Sequence, residues 1–176
     1  MNGNQRSAEA QTAPKPAPMF DLIELLFFAY RDFVGDADRL LETYNFGRAH
    51  HRVLHFVNRR PGLTIAELLD ILKITKQSLS RVLKELITEG FIEARHGAAD
   101  RRHRQLYASA IGEALARDLA QIQTRRFDRA LVGLGAAGRE NAVAFLLAMI
   151  DPGESRRALE AAKGSYAPEK KGAPLE

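Results

Sequence analysis

The chain has 176 residues, with 26 Lys and Arg against 22 Asp and Glu, a net charge of +4, and no cysteine. This is one domain with tails, long enough to bury a proper core; disulfides and thiolate chemistry are excluded, and no apolar run approaches a membrane span. Between Arg48 and Tyr107 there are 12 Lys and Arg against 6 Asp and Glu, a local balance of +6 that leaves the remainder at −2. Positive charge gathered in one third of the chain points to a polyanionic partner, nucleic acid first.

Residues 1–18 are rich in Ala, Gln and Pro, with Pro14, Pro16 and Pro18 forbidding a helix, so a disordered tail is expected. The polar start Met1-Asn-Gly-Asn-Gln is no export signal, which makes a cytoplasmic protein the default. Asp21-Leu-Ile-Glu24 opens a helix over about 20–34 that carries Leu22, Ile23, Leu25, Leu26, Phe27, Phe28 and Tyr30, apolar on more than one face. A small domain offers such a helix one side, so its second face is expected to meet a partner chain. A further helix is predicted over about Phe46–Asn58, ended by Arg59-Arg-Pro-Gly62.

Two short helices follow. Thr64 with Glu67 forms a capping box ahead of Ile65, Leu68, Leu69 and Leu72, spaced for one helix face. Thr75 caps a second helix that runs from Lys76 until Gly90, and only Lys73 and Ile74 separate the pair, which forces a sharp bend. On the second helix Leu79, Val82, Leu83 and Leu86 form a stripe, and Lys76, Gln77, Ser80, Arg81 and Lys84 fall opposite. A polar face alone describes most surface helices. What changes its meaning is the next segment, where Phe91–Arg95 and Arg104–Ala108 read as short strands joined by the basic loop His96-Gly-Ala-Ala-Asp-Arg-Arg-His103. A basic hairpin beyond a polar helix is the layout of a winged helix-turn-helix.

Beyond the hairpin, Ser109 caps a long amphipathic helix to about Leu131; Gly133, Gly135 and Gly138 interrupt it, and Asn141–Ile150 resumes as a nearly all-apolar helix. Asp151-Pro-Gly marks the end, with a helical turn or two expected between Glu154 and Ala162 and a mostly flexible tail over 151–176. The fold class read from these elements is mainly α with a small β-wing.

The segments Leu63-Thr-Ile-Ala-Glu-Leu, Lys84-Glu-Leu-Ile-Thr-Glu-Gly-Phe-Ile-Glu93 and Asp100-Arg101-Arg102 together resemble the MarR family of bacterial transcription regulators, over roughly Phe20 to Ile150. The resemblance implies a homodimer in which helices from both chain ends, about 20–34 and 109–150, interlace across a two-fold axis. A DNA-binding core over about 46–108 would then read double-stranded DNA. It places the second short helix in the major groove and Arg102 in the adjacent minor groove, with Asp100 orienting the wing. It also implies a regulator, expected to be a repressor, on an inverted-repeat promoter site, released by a small aromatic or phenolic ligand.

Residue chemistry agrees. Gln77 and Arg81 have the forked donors and acceptors that read base edges, Ser78, Ser80 and Lys84 are better suited to phosphates, and Thr75 and Lys76 complete the candidate DNA-binding residues of this helix. Arg95, Arg101, Arg102 and Arg104 add charge along the wing, and a guanidinium suits the concentrated potential of a narrow minor groove. His96 and His103 flank the tip as phosphate contacts. For the ligand, Phe27, Tyr30, Arg48, His51 and His55 are the candidate lining residues, with Arg48 offered to a carboxylate; core or dimer packing is the plainer account of Phe27 and Tyr30.

Other functions find less support. His51 and His55 lie four apart on one face and could share a metal, but two imidazoles are half a site and no acidic residue of the same helix completes it. No cofactor is indicated. An enzyme is disfavoured, since there is no thiol nucleophile and no Gly-rich phosphate loop, and Ser78 and Ser80 sit within the basic helix. The rival of a different kind is a winged-helix protein-interaction module, which has no need of Arg101, Arg102 and Arg104 clustered at one tip.

Overall fold

The computed structural model describes residues 17–96, 104–154 and 158–159. The elements run α1 (Phe20–Glu42), α2 (Arg48–Arg59), β1 (Leu63–Thr64), α3 (Ile65–Leu72), α4 (Lys76–Thr88), β2 (Ile92–His96), β3 (Arg104–Ala108), α5 (Ala110–Val132) and α6 (Gly138–Ala148). This is a winged helix carried on longer helices, mainly α with one small sheet.

The core forms where local signals and packing agree. Thr64 accepts from the Glu67 amide while the Glu67 carboxylate accepts from the Thr64 amide at 2.8 Å, so α3 begins at its capping box. Lys73 takes the left-handed conformation, φ 51° and ψ 42°, and makes the bend into α4. Leu79, Val82, Leu83 and Leu86 of α4 are all buried, packed with Leu68 and Leu72 of α3, Val53, Leu54 and Val57 of α2, and Leu115 and Leu119 of α5. At about 25 cal/mol per Å² of apolar surface removed from water, this shared cluster supplies most of the drive to fold the head.

The sheet has the order β1-β3-β2, antiparallel throughout, with Ala94 opposite Leu106 and His96 opposite Arg104. β1 was not anticipated: two residues carry no period-two signal, and the strand exists because Leu63 pairs with Leu106, far along the chain. β2 starts one residue later than expected and α6 starts three residues earlier, with Gly138 as its first residue rather than a break.

The largest departure is α1. It runs through Gly35 to Glu42, eight residues past the expected end near residue 34, because its C-terminal half has a packing partner. Ala37 and Leu41 are buried, Phe33 meets Phe127 of α5 edge-on at 5.4 Å, and Asp36 accepts from Arg126 of α5 at 2.6 Å. Those contacts outweigh the roughly 1 kcal/mol that one helical glycine costs. The N-terminal half has no such partner: every residue from 17 to 31 is exposed. Phe20 is 66% exposed, Leu25 62% and Phe27 67%, an apolar surface that water does not leave bare in a stable molecule.

Candidate nucleic-acid interface

The outward face of α4 is built by its own periodicity. Because Leu79, Val82, Leu83 and Leu86 point into the core, Lys76, Gln77, Ser80, Arg81 and Lys84 point out, and all five are exposed. None of the ion pairs among the described residues engages Lys76, Arg81 or Lys84, so their charges face solvent unneutralised. Thr75 caps the helix through the Ser78 amide at 3.2 Å and donates to the Ser78 hydroxyl at 2.9 Å. There is no acidic residue in the first turn, so the positive end of the helix dipole and its free amides stay available to an anion.

The wing residues divide. Arg104 is exposed at the start of β3, in register with His96. Arg95 is already engaged: its Nη2 lies 2.8 Å from a Glu93 carboxylate oxygen, and its guanidinium sits 4.5 Å from the centre of the Tyr107 ring. Its reach toward a duplex is therefore shorter than its place in the sequence suggested. Asp100, Arg101, Arg102 and His103 lie outside the described residues.

Three side chains that sequence reasoning passed over fix the angle of this face. His50 of α2 is the one polar side chain buried among the described residues. Its Nδ1 accepts from the Gly47 amide at 3.1 Å, which leaves Nε2 to donate to the Glu85 carboxylate of α4 at 2.6 Å, while its ring stacks on Phe46 at 4.7 Å. A histidine at the start of a helix, with a glutamate on the inner edge of another, was the available signal; nothing local joined them across 35 residues. Arg52 donates to the Leu72 carbonyl at 3.1 Å and so closes the end of α3.

Of the candidate ligand residues, Arg48, His51 and His55 lie on α2 where it meets α1, and Phe27 and Tyr30 lie on α1. Arg48 does not stand free for a carboxylate, as expected from the sequence. Its Nε and Nη2 both donate to Asp38 of α1, at 2.9 and 2.8 Å, and Asp38 with Tyr30 nearby holds the guanidinium above its usual range. An anionic ligand would have to displace Asp38. His51 and His55 lie beside this pair with ring centres 6.4 Å apart, and Phe27 projects from α1 one turn before Tyr30. Among the described residues no three His, Cys, Asp or Glu side chains come close enough to hold a metal.

Burial pushes both imidazoles below their ordinary value of 6.5; His55 adds to the effect on His51, Arg59 adds to that on His55, and Asp38 opposes it at His51. The unfolded chain then takes up protons first. The stability contributed by the neutral rings is complete above their ordinary value and is lost as pH falls through the depressed folded values. The melting temperature is expected to drop as pH falls below the rings' ordinary value of 6.5, and His51→Asn with His55→Asn to flatten that slope. Parallel curves for the two proteins would show that these rings do not set it.

Residues 44–103 match the sequence model described as the MarR family. The chain is 45% identical over 134 residues to the HTH-type transcriptional regulator PetP of Rhodobacter capsulatus, covering 76% of this chain and 81% of that protein. Among solved structures it is similar to a MarR transcriptional regulator from Methanosarcina mazei, with TM-score 0.64, 19% identity and coverage of 82% and 93% of the two chains. It is also similar to the transcriptional regulator SlyA, with TM-score 0.62, 17% identity and coverage of 84% and 99%. At those identities the structures speak for the fold. Among the described residues no helix is long and apolar enough to cross a membrane.

Proposed function

The chain belongs to the MarR family of winged helix-turn-helix transcription regulators, and from that premise we propose that it binds double-stranded DNA sequence-specifically as a homodimer and represses from an inverted-repeat promoter site. The observation that carries the reading is the exposed, unpaired row Lys76, Gln77, Ser80, Arg81 and Lys84 on a helix whose N-terminus is not neutralised. Such a helix seats its N-terminal residues in a major groove, with Gln77 and Arg81 on base edges and Lys76, Ser78, Ser80 and Lys84 on phosphates. Arg104 and the wing residues Arg101 and Arg102 extend the contact to the neighbouring minor groove.

The homodimer is supported by the bare N-terminal half of α1 and by the exposed Val143, Phe145, Leu146 and Met149 at and beyond α6. A two-fold axis through these surfaces presents two α4 helices to half-sites about one turn of DNA apart. A small aromatic acid entering beside Arg48, His51 and His55 would release the operator by exchanging its carboxylate for that of Asp38. Because α1 carries both Asp38 and the pairing surface, that exchange would alter the spacing of the two heads.

Fluorescence anisotropy on an operator and on scrambled duplexes tests the contacts. Arg81→Ala is expected to cost about 1–3 kcal/mol on the operator and to relax base choice at one position, whereas Lys84→Ala weakens every duplex alike and lowers the salt slope by about one. Unchanged binding by both variants would exclude α4 as the reading element.

A further inference from the structure

Glu85 closes the reading column of α4. Gln77, Arg81 and Glu85 follow one another at intervals of four, so the two side chains assigned to base edges share a helix face with a carboxylate one turn further on. On a helix a side chain meets those three and four positions away, which for Glu85 are Arg81, Val82, Thr88 and Glu89. Arg81 is the one cation among them, and Glu89 carries the same charge as Glu85. Left to itself, α4 would pair Glu85 with Arg81.

The folded head does not make that pair. Arg81 forms no ion pair among the described residues, and the Glu85 Oε2 accepts instead from His50 Nε2 of α2 at 2.6 Å. The His50 ring is fixed for this purpose: its Nδ1 accepts from the Gly47 amide at the start of α2, and its face stacks on Phe46, which in turn meets Phe91 edge-on at 5.0 Å. A buried, oriented donor on α2 thus draws the carboxylate away from Arg81. The Glu85 side chain itself is 47% exposed, so it has open solvent to turn through once that bond is lost.

We propose that His50 is a positioning residue for base reading: by holding the Glu85 carboxylate against α2 it keeps the Arg81 guanidinium unpaired and free for the major groove. Without that bond Glu85 swings back one turn and occupies the donors that Arg81 presents to a base. The proposal rests on α4 being the DNA-reading helix.

Fluorescence anisotropy of the full chain on the operator duplex tests it. His50→Phe, which keeps the stack on Phe46 but has no donor, is expected to bind about two- to fivefold more weakly, the scale of one exposed ion pair that must be broken first. Adding Glu85→Ala to His50→Phe should restore the affinity, and His50→Gln, whose amide still donates to Glu85, should bind like the wild type. In an Arg81→Ala background His50→Phe should have no further effect. A loss that Glu85→Ala fails to restore, or one that persists without Arg81, would make His50 a support of the fold alone and overturn the proposal. The side-chain Nε resonance of Arg81, followed by heteronuclear NMR, reads the same exchange without DNA: it should move in His50→Phe, return in the double variant and stay in place with Glu85→Ala alone. Movement with Glu85→Ala in the wild-type background would show Arg81 already paired, and would overturn the proposal even if His50→Phe does not fold. Should the wild type bind no duplex while the resonance moves as expected, the DNA reading fails and the side-chain exchange stands.

Discussion

Leu22→Glu combined with Leu26→Glu is expected to leave the protein monomeric at micromolar concentration and to weaken operator binding by about a hundredfold or more, the loss that follows when two linked contacts become two separate ones. Leu22 and Leu26 are 50% and 45% exposed in the single chain and lie one turn apart on α1. Carboxylates there cost the isolated head little, because both side chains are exposed in the single chain and lie outside its buried core. They cost a pairing surface a great deal, because a buried unpaired charge is several kcal/mol uphill.

Affinity for a single half-site separates this from unfolding. It depends on α4 and the wing alone and is expected to stay near the wild-type value, while affinity for the full inverted repeat collapses. Sedimentation velocity together with anisotropy on half and full sites reads both quantities. A dimer that survives the double substitution would move the two-fold axis away from α1.

The elements that could be read in advance are those whose cause lies within a dozen residues. The α3 capping box, the Thr75 cap and the buried stripe of α4 are local in this sense, and so is the exposed basic row that the stripe defines. Features made by distant partners were not legible. β1 exists through Leu106, α1 continues past Gly35 through Phe127 and Arg126, and His50 is buried with its Nε2 hydrogen-bonded to Glu85 of another helix. Arg48 shows the same limit at a functional residue, since Asp38 ten positions earlier claims the guanidinium that sequence alone offered to a ligand.

Gly112→Ala is expected to destabilise the protein by about 1–3 kcal/mol, the cost of forcing a group into a packed site, despite the better helix propensity of alanine. A Cβ at Gly112 would stand 2.0 Å from the Phe91 carbonyl oxygen, a backbone atom that cannot turn aside, and 3.4 Å from Leu54. That carbonyl is also fixed from the other side, because it accepts from the Ser109 amide at 3.0 Å while the Ser109 hydroxyl donates to the Gly90 carbonyl at 2.6 Å. The first turn of α5 is thereby seated on the chain that has just left α4. Gly133→Ala is the matched comparison: its Cβ would meet nothing within 4 Å, and its backbone, with φ −76°, suits any residue. Equal melting temperatures for the two variants, measured at one protein concentration, would show that α5 does not rest on Phe91. The same seat joins α4, the proposed reading helix, to α5, in the proposed pairing region. Where Gly112→Ala still folds, it should therefore tilt the heads, lowering affinity for the full inverted repeat more than for a half-site.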